Sequence, residues 1–245
     1  MNTSDLPLEK SESWKMFDRI SAQYDLLNRI LSWGLDIQWR RQLTALLPPR
    51  DNQTVLDLAT GTGDVAIDLM QRKRNVSDVY GIDLAENMLK IAEEKIRKAG
   101  LQNRIHLKKG DAQEIPFGSA YFDAVTMAFG IRNTPNSILV LKEIYRVLKD
   151  GGRVLILEFS LPRNPLIRLL HLFYLRTIVP FVGGLLSGNA QAYRYLNKTI
   201  EQYPHGERFC HMLRQVGFDN VRSHELLLGA ATIYQGDKIH LQDQL

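Results

Sequence analysis

Cysteine is almost absent: the 245-residue chain has one, Cys210. That excludes an internal disulfide framework and fits a reducing compartment. No uninterrupted apolar run reaches the roughly 18 residues of a spanning segment, so no spanning helix is expected. Met1–Lys10 has no apolar centre, which predicts no secretory signal. Charge is not strongly one-sided, at +4 net with a pI near 9.1. The basic residues are spread along the sequence rather than clustered with aromatics, which argues against a nucleic-acid partner. There is no internal repeat or low-complexity tract. His205 and His211, with Cys210 between them, have no recognised metal-ligand spacing, and no Gly-x-Ser-x-Gly elbow occurs. Disulfide-scaffolded, metal-centred and elbow-type hydrolytic proteins are therefore not expected.

What is present is a globular composition, 44% hydrophobic and 24% charged, sufficient for a sizeable core in a single domain over 1–245. Residues 1–12 are polar and predict a frayed end. From Ser13 to Leu31, Trp14, Phe17, Ile20, Tyr24, Leu27, Ile30 and Leu31 recur at helical steps. A second helix is expected over Leu35–Leu47, stopped by Pro48-Pro49. This unit, 13–47, precedes the first strand. Its polar-tipped Tyr24, Asp25 and Asn28 suggest a cap over a ligand rather than plain packing. Over 54–160 strand and helix patterns then alternate: Thr54–Leu58, Asp64–Arg74, Val79–Asp83, Ala85–Ala99, Ile105–Lys108, Asp123–Ala128, Asn136–Leu148 and Arg153–Glu158. That alternation predicts crossover units and a mostly parallel sheet. A long apolar insert, 161–200, interrupts it; Pro180, Gly183 and Gly184 are expected to prevent one continuous helix there. Over 201–236 a helix near Glu207–Val216 precedes two strands, Val221–Leu228 and Ala230–Gln235, an antiparallel pair at the sheet edge.

The chemistry concentrates at Val55-Leu56-Asp57-Leu58-Ala59-Thr60-Gly61-Thr62-Gly63-Asp64. A buried strand ends in an acid and a glycine turn opens a helix. Gly61-x-Gly63-x-x-Ala66 fits the dinucleotide fingerprint. Asp57 and Asp64 would repel a pyrophosphate at that loop and suit a cationic ligand such as S-adenosylmethionine. Asp83, twenty residues beyond Gly63, ends the second strand, where an acid meets a ribose diol. The alternative is that these acids cap helices or form turns.

Three longer stretches carry a resemblance. They are Tyr24-Asp25-Leu26-Leu27-Asn28-x-x-Leu31-Ser32-x-x-x-Asp36-x-x-Trp39, Phe129-Gly130-Ile131-Arg132-Asn133, and the run from Arg146 to Ser160. Together they resemble the ubiquinone/menaquinone biosynthesis C-methyltransferases, a family of class I methyltransferases, over about residues 13–236. Asp36, Leu27, Asp150 and Ala128 depart from the usual pattern. The resemblance implies a Rossmann-like α/β fold with a seven-stranded, mostly parallel sheet, one antiparallel strand, an N-terminal helical cap and a helical insert after strand five. It implies S-adenosylmethionine as cofactor, with Thr62, Asp83, Asp111 and Ala112 in contact with it. Asp111 would accept from the adenine amino group, Asp57 would face the ammonium, and Gly61 and Gly63 would admit the methionine.

The implied reaction is C-methylation of a polyprenylated hydroquinone, demethylmenaquinol first, with 2-polyprenyl-6-methoxy-1,4-benzoquinol or demethylphylloquinol as alternatives. A phenolate makes its ring carbon nucleophilic. Arg132 and Asn133 are the candidates for holding that oxygen, and Tyr24, Tyr193, Arg194 and Tyr195 the weaker ones. Arginine is a poor proton acceptor, so Arg132 would act by electrostatic stabilisation or by orienting water. The alternative is that Arg132 pairs with a carboxylate and Asn133 caps a turn. No metal is implied. The expected setting is cytoplasmic, with peripheral contact on the inner membrane face through 161–200, or else that insert is a buried hairpin. Self-association is left open. An NAD(P)-dependent oxidoreductase or an RNA methyltransferase are the readings from other classes.

Overall fold

The computed structural model describes residues 10–72, 75–187 and 190–239. Most of the expected frayed start therefore lies outside the described residues; Lys10–Glu12 form a short 3-10 turn. The elements in sequence order are α1 (Ser13–Leu31), α2 (Leu35–Ala45), β1 (Gln53–Leu58), α3 (Asp64–Arg72), β2 (Val76–Asp83), α4 (Glu86–Lys98), β3 (Ile105–Lys109) and β4 (Phe122–Ala128). There follow α5 (Ser137–Val147), β5 (Leu148–Phe159), α6 (Pro165–Phe173), α7 (Val179–Ser187), α8 (Ala190–Gln202), α9 (Glu207–Val216), β6 (Asp219–Leu226) and β7 (Ala231–Asp237).

The seven strands form one sheet in the order β3-β2-β1-β4-β5-β7-β6. β7 runs antiparallel to both neighbours and every other pairing is parallel. The order reverses at β1, so a crevice opens beyond the carboxyl ends of β1 and β4, the usual ligand position in such sheets. Val55, Leu56 and Leu58 are fully buried because helices cover both faces.

Register places chemistry as well as packing. Asp57 in β1 lies opposite Thr126 in β4 and Gly81 in β2. Thr126 Oγ1 and Thr60 Oγ1 each donate to the Asp57 carboxylate at 2.7 Å. The strand-end acid is thus enclosed by hydroxyls, at 1% exposure.

The insert departs from expectation. Pro180, Gly183 and Gly184 do not break it: α6, a π turn over Tyr174–Ile178 and α7 run on without interruption. The carbonyl that a helical Pro180 would crowd belongs to Arg176, four residues back, and Arg176 lies inside the widened π turn. Gly183 serves close packing: a Cβ there would lie 2.6 Å from the Tyr193 ring of α8. The expectation of no spanning-length helix is corrected too. Pro165–Leu185 is long and apolar enough to cross a membrane by length and composition. Sequence inspection missed it because Arg168, His171 and Arg176 punctuate the apolar run.

Burial pushes the Asp57 carboxyl up from 3.8 to about 6, despite the two hydroxyl donors and the Arg40 charge. The native state therefore holds a proton that the unfolded protein releases near 3.8, and stability falls as pH rises through this interval. Asp57→Asn carries no such charge. In urea unfolding of ligand-free protein, its stability relative to wild type should rise by roughly 2 kcal/mol between about pH 4 and pH 7. A difference that stays flat with pH would show that ionising Asp57 costs the fold nothing.

Candidate functional site

Two cavities occupy the crevice. The first, about 250 Å³, lies over the ends of β1, β2 and β4; its wall includes Gly61, Asp83, Asp111, Ala112, Phe129 and Asn133. Helix α1 closes it with Ser13, Trp14, Phe17 and Tyr24. The second, about 240 Å³, lies between α1, α2, the end of β5 and the insert. Aromatic and aliphatic side chains dominate its wall, among them Trp39, Phe159, Leu175 and Val179. Phe17, Tyr24, Phe129 and Asn133 line both, so the cavities meet at these four side chains.

The two loop glycines have different tasks. Gly61 has φ of 55° and nothing within 4 Å of where a Cβ would stand, and its N–H donates to Asp83 Oδ2 at 2.8 Å. Gly63, φ 80°, packs under α4, where a Cβ would come within 3.1 Å of Ala92 Cβ. Asp83 Oδ1 accepts from Ala85 N–H at 2.9 Å. Each Asp83 oxygen thus has one backbone donor and can accept a second, which is what a ribose diol offers. Burial holds the Asp83 carboxyl above its ordinary value, against those backbone donors.

Asp57, Thr62, Gly63 and Asp64 do not line either cavity. The Thr62 hydroxyl donates to Asp25 Oδ1 of α1 at 2.6 Å and accepts from Lys95 Nζ at 3.2 Å. Lys95 also pairs with Asp25 at 3.0 Å and with Asp64. Arg40 and Arg29 approach Asp64 at 3.7 and 3.8 Å. Burial would raise the Asp64 carboxyl, but the Lys95, Arg40 and Arg29 charges hold it below its usual range. The argument that the loop acids repel a pyrophosphate is therefore corrected: Asp64 is neutralised from within, and Asp57 is enclosed by threonines.

Backbone strain marks the same crevice. Ala59 and Phe129, the residues just beyond β1 and β4, have φ of 50° and 59°. A bulky residue in this region costs about 1–3 kcal/mol and persists only where its surroundings enforce it. Here Phe129 N–H donates to Leu157 C=O at 2.8 Å. Its own carbonyl accepts from Arg132 Nη1 at 2.8 Å and Asn133 Nδ2 at 3.3 Å. Arg132, 3% exposed, also pairs with the buried Glu158 at 2.6 Å. The carboxylate-pairing alternative for Arg132 is therefore present in the structure, yet its Nε stays buried without a partner and the residue lines the second cavity. Asn133 Oδ1 is also unpartnered.

Tyr24 lines both cavities, and burial raises its phenol's pKa against the opposing Arg40 charge. Tyr193 and Tyr195 line the second cavity; Arg194 is exposed on the outer side of the insert. Sequence reasoning missed Arg40, Asp36, His171 and Tyr174, all on the second cavity's wall. It also missed Ser13, Trp14 and Phe17 as walls of the first. The helical spacing of Trp14, Phe17 and Tyr24 showed a face but not what that face covers.

A sheet wound in this order, with its cavity at the reversal point and an acid ending β2, is the architecture of class I S-adenosylmethionine-dependent methyltransferases. The fold matches a SAM-dependent methyltransferase from Thermotoga maritima with a TM-score of 0.64 and 20% identity, over 92% of this protein and 99% of that one. The model of the ubiE/COQ5 methyltransferase family matches residues 7–238, and the chain belongs to that family. It is 42% identical to the ubiquinone/menaquinone biosynthesis C-methyltransferase UbiE of Geotalea daltonii, over 94% of its own length and 98% of that protein. It is 43% identical to the demethylmenaquinone methyltransferase of Thermus thermophilus, over 91% of its own length and all of that protein. The protein is a methyltransferase that uses S-adenosylmethionine.

A Cβ on Gly130 would lie 2.6 Å from Ala59 Cβ, which is fixed directly to backbone, and 2.8 Å from Met127 Cε. Gly130→Ala should cost roughly 1–3 kcal/mol of stability by overpacking. It should also weaken S-adenosylmethionine binding in calorimetry, because Ala59 forms part of the first cavity's wall. Gly118→Ala, where a Cβ meets nothing within 4 Å, is the control. Equal behaviour of the two variants would refute the close-approach account.

Proposed function

We propose that this protein methylates a ring carbon of a polyprenylated hydroquinone, with demethylmenaquinol as the preferred ring. The observation that carries this reading is the meeting of a cavity edged by Asp83 and Asp111 with a mainly apolar one, at Phe17, Tyr24, Phe129 and Asn133. Asp83 takes the cofactor's ribose, Asp111 and Ala112 its adenine, and the backbone around Gly61 its methionine. Bound S-adenosylmethionine supplies an electrophilic methyl group. The ring lies in the second cavity with its nucleophilic carbon towards the junction. Names among the relatives include both menaquinone and ubiquinone biosynthesis, so the methoxybenzoquinol is the second substrate to test.

In the reaction a ring carbon forms a bond to the methyl carbon as the methyl–sulfur bond breaks, and the ring then loses its proton. The protein's residues align the two groups and stabilise charge on the phenolic oxygen. Arg132 Nη1 is committed to Glu158 and the Phe129 carbonyl, while the buried Nε–H has no partner and is free for that task. Glu158 and the Phe129 carbonyl hold the guanidinium still while that donor faces the substrate. Asn133 and Tyr24, common to both cavities, flank the transfer point.

A prenyl tail belongs in lipid, and the insert offers it a route. Leu166, Leu169, Leu170, Phe173, Phe181 and Leu185 along α6 and α7 are each at least 60% exposed. The opposite side of the same helix, Leu175 and Val179, is buried against the second cavity. A helix committed on one side to the protein and bare on the other suits lying in a membrane interface rather than spanning it. Arg168, exposed on α6, fits an anionic surface, while Arg163 and Arg176 pair with Glu225 and Glu201.

Asp83→Ala should weaken S-adenosylmethionine binding roughly ten- to a hundredfold, the loss of a charge-assisted hydrogen bond. Arg132→Lys keeps a cation for Glu158 but loses the planar fork; it should lower kcat roughly a hundredfold with little change in cofactor affinity. Calorimetry and steady-state rates on a short-tailed naphthoquinol separate the two. If Arg132→Lys instead lowers cofactor affinity alone, Arg132 has no part in the transition state.

The paired change Leu169→Glu with Phe173→Glu should leave cofactor affinity intact. It should abolish sedimentation with anionic vesicles and reduce turnover of long-tailed quinols more than short-tailed ones. Equal loss on both tails, or loss of folding, would mean that the insert is core.

A further inference from the structure

Among the described residues, four buried polar atoms on the wall of the second cavity have no partner: Arg132 Nε, Asn133 Oδ1, His171 Nε2 and Tyr195 Oη. Buried polar groups without partners are costly, so four around one cavity point to a ligand that meets them. The first two belong to one short turn, Ile131–Asn133, beyond β4. The other two come from separate elements, His171 from α6 of the insert and Tyr195 from α8. A 1,4-hydroquinone carries its two oxygens on opposite sides of the ring. If one oxygen is met by the Arg132–Asn133 turn, as proposed above, the second needs a partner elsewhere on the wall, where His171 Nε2 and Tyr195 Oη are unmet; a phenol serves hydroxyl and carbonyl alike, whereas an imidazole acceptor serves only the hydroxyl.

We propose that His171 Nε2 accepts the hydrogen bond of the quinol's second hydroxyl, so that this side chain selects the reduced ring over the oxidised one. This rests on the hydroquinone reading. A neutral imidazole has one donor and one acceptor nitrogen, and a nitrogen with a free lone pair attracts O–H and repels a quinone carbonyl. Burial pushes the imidazole below its ordinary pKa, and no charged side chain offsets that, so it is neutral at pH 7. The ionisable groups elsewhere on the cavity wall are Tyr24, Asp36, Arg40, Arg132, Tyr174, Tyr193 and Tyr195. Asp36 and Arg40 pair with each other, and Arg132 with Glu158. The Tyr174 hydroxyl donates to Leu31 C=O at 2.7 Å. Selection matters chemically: only the reduced ring is nucleophilic, so an oxidised ring in the cavity is an inhibitor.

The test compares wild type with His171→Leu and His171→Gln, using a short-tailed naphthoquinol as substrate and the matching naphthoquinone as inhibitor. In His171→Leu the quinol KM should rise about tenfold, with the quinone inhibition constant unchanged or lower and S-adenosylmethionine affinity intact. His171→Gln, whose amide offers both an acceptor and a donor, should restore the quinol KM while binding the quinone more tightly. If KM and the inhibition constant move together in His171→Leu, the residue only fills space and the proposal falls. If His171→Leu does not fold, His171→Gln decides alone: no tightening of quinone inhibition overturns the proposal. Wild-type protein that binds S-adenosylmethionine but methylates no quinol removes the substrate reading itself, and this inference with it.

Discussion

The buried pair of Arg132 and Glu158 is the interaction on which the site depends. The guanidinium satisfies a carboxylate 1% exposed and also donates to the carbonyl of Phe129. Two ions taken out of water gain little net stability from their attraction alone. What this pair supplies is a fixed backbone: it helps hold Phe129 at φ 59°, a conformation such a residue avoids. In that conformation the Phe129 ring stacks on Phe159 of β5 at 4.5 Å, and both rings line the apolar cavity. The strain at the end of β4 is thus the cost of a wall shared by the two cavities.

A second constraint fixes the N-terminal helices. α1 contributes walls to both cavities, so its position sets their shape. Apolar burial of Met16, Ile20 and Leu27 supplies most of the adhesion. Direction comes from polar contacts. Lys95 of α4 bridges Asp25 of α1 and Asp64 of α3, Thr62 of the glycine loop joins the same cluster, and Asp18 of α1 accepts from the backbone and side chain of Asn87 at 2.7 and 2.8 Å. Helix, loop and sheet are thereby coupled, which ties the cofactor side of the crevice to the helix that also shapes the substrate side.

The insert combines two tasks on one helix. Its inner side completes the apolar cavity and its outer side leaves a row of large apolar residues bare. The π turn adds a residue mid-helix, which advances the stripe from Leu166, Leu169, Leu170 and Phe173 to Ile178, Phe181 and Leu185. Without that extra residue the two halves of the stripe would face different directions.

The strand and helix alternation, the single sheet with its late antiparallel pair, and the glycine loop with Asp83 twenty residues on were legible in the sequence. Period and turn chemistry are local, and these features follow from neighbours along the backbone. The placement of individual side chains was not. Asp57 and Thr62 sit in the motif, but cross-strand register encloses Asp57 with Thr126, and helix packing commits Thr62 to Asp25 and Lys95. Arg40, His171 and Tyr174 show no motif, because a cavity between α1, α2 and the insert exists only once segments more than a hundred residues apart meet. The sequence determined which elements form and where the ligand loop lies; tertiary structure alone decided which polar groups are spent within the protein and which remain unmet at the cavity wall. Hydrogen-bond capacity is finite, and what each group has left depends on neighbours that only the fold supplies.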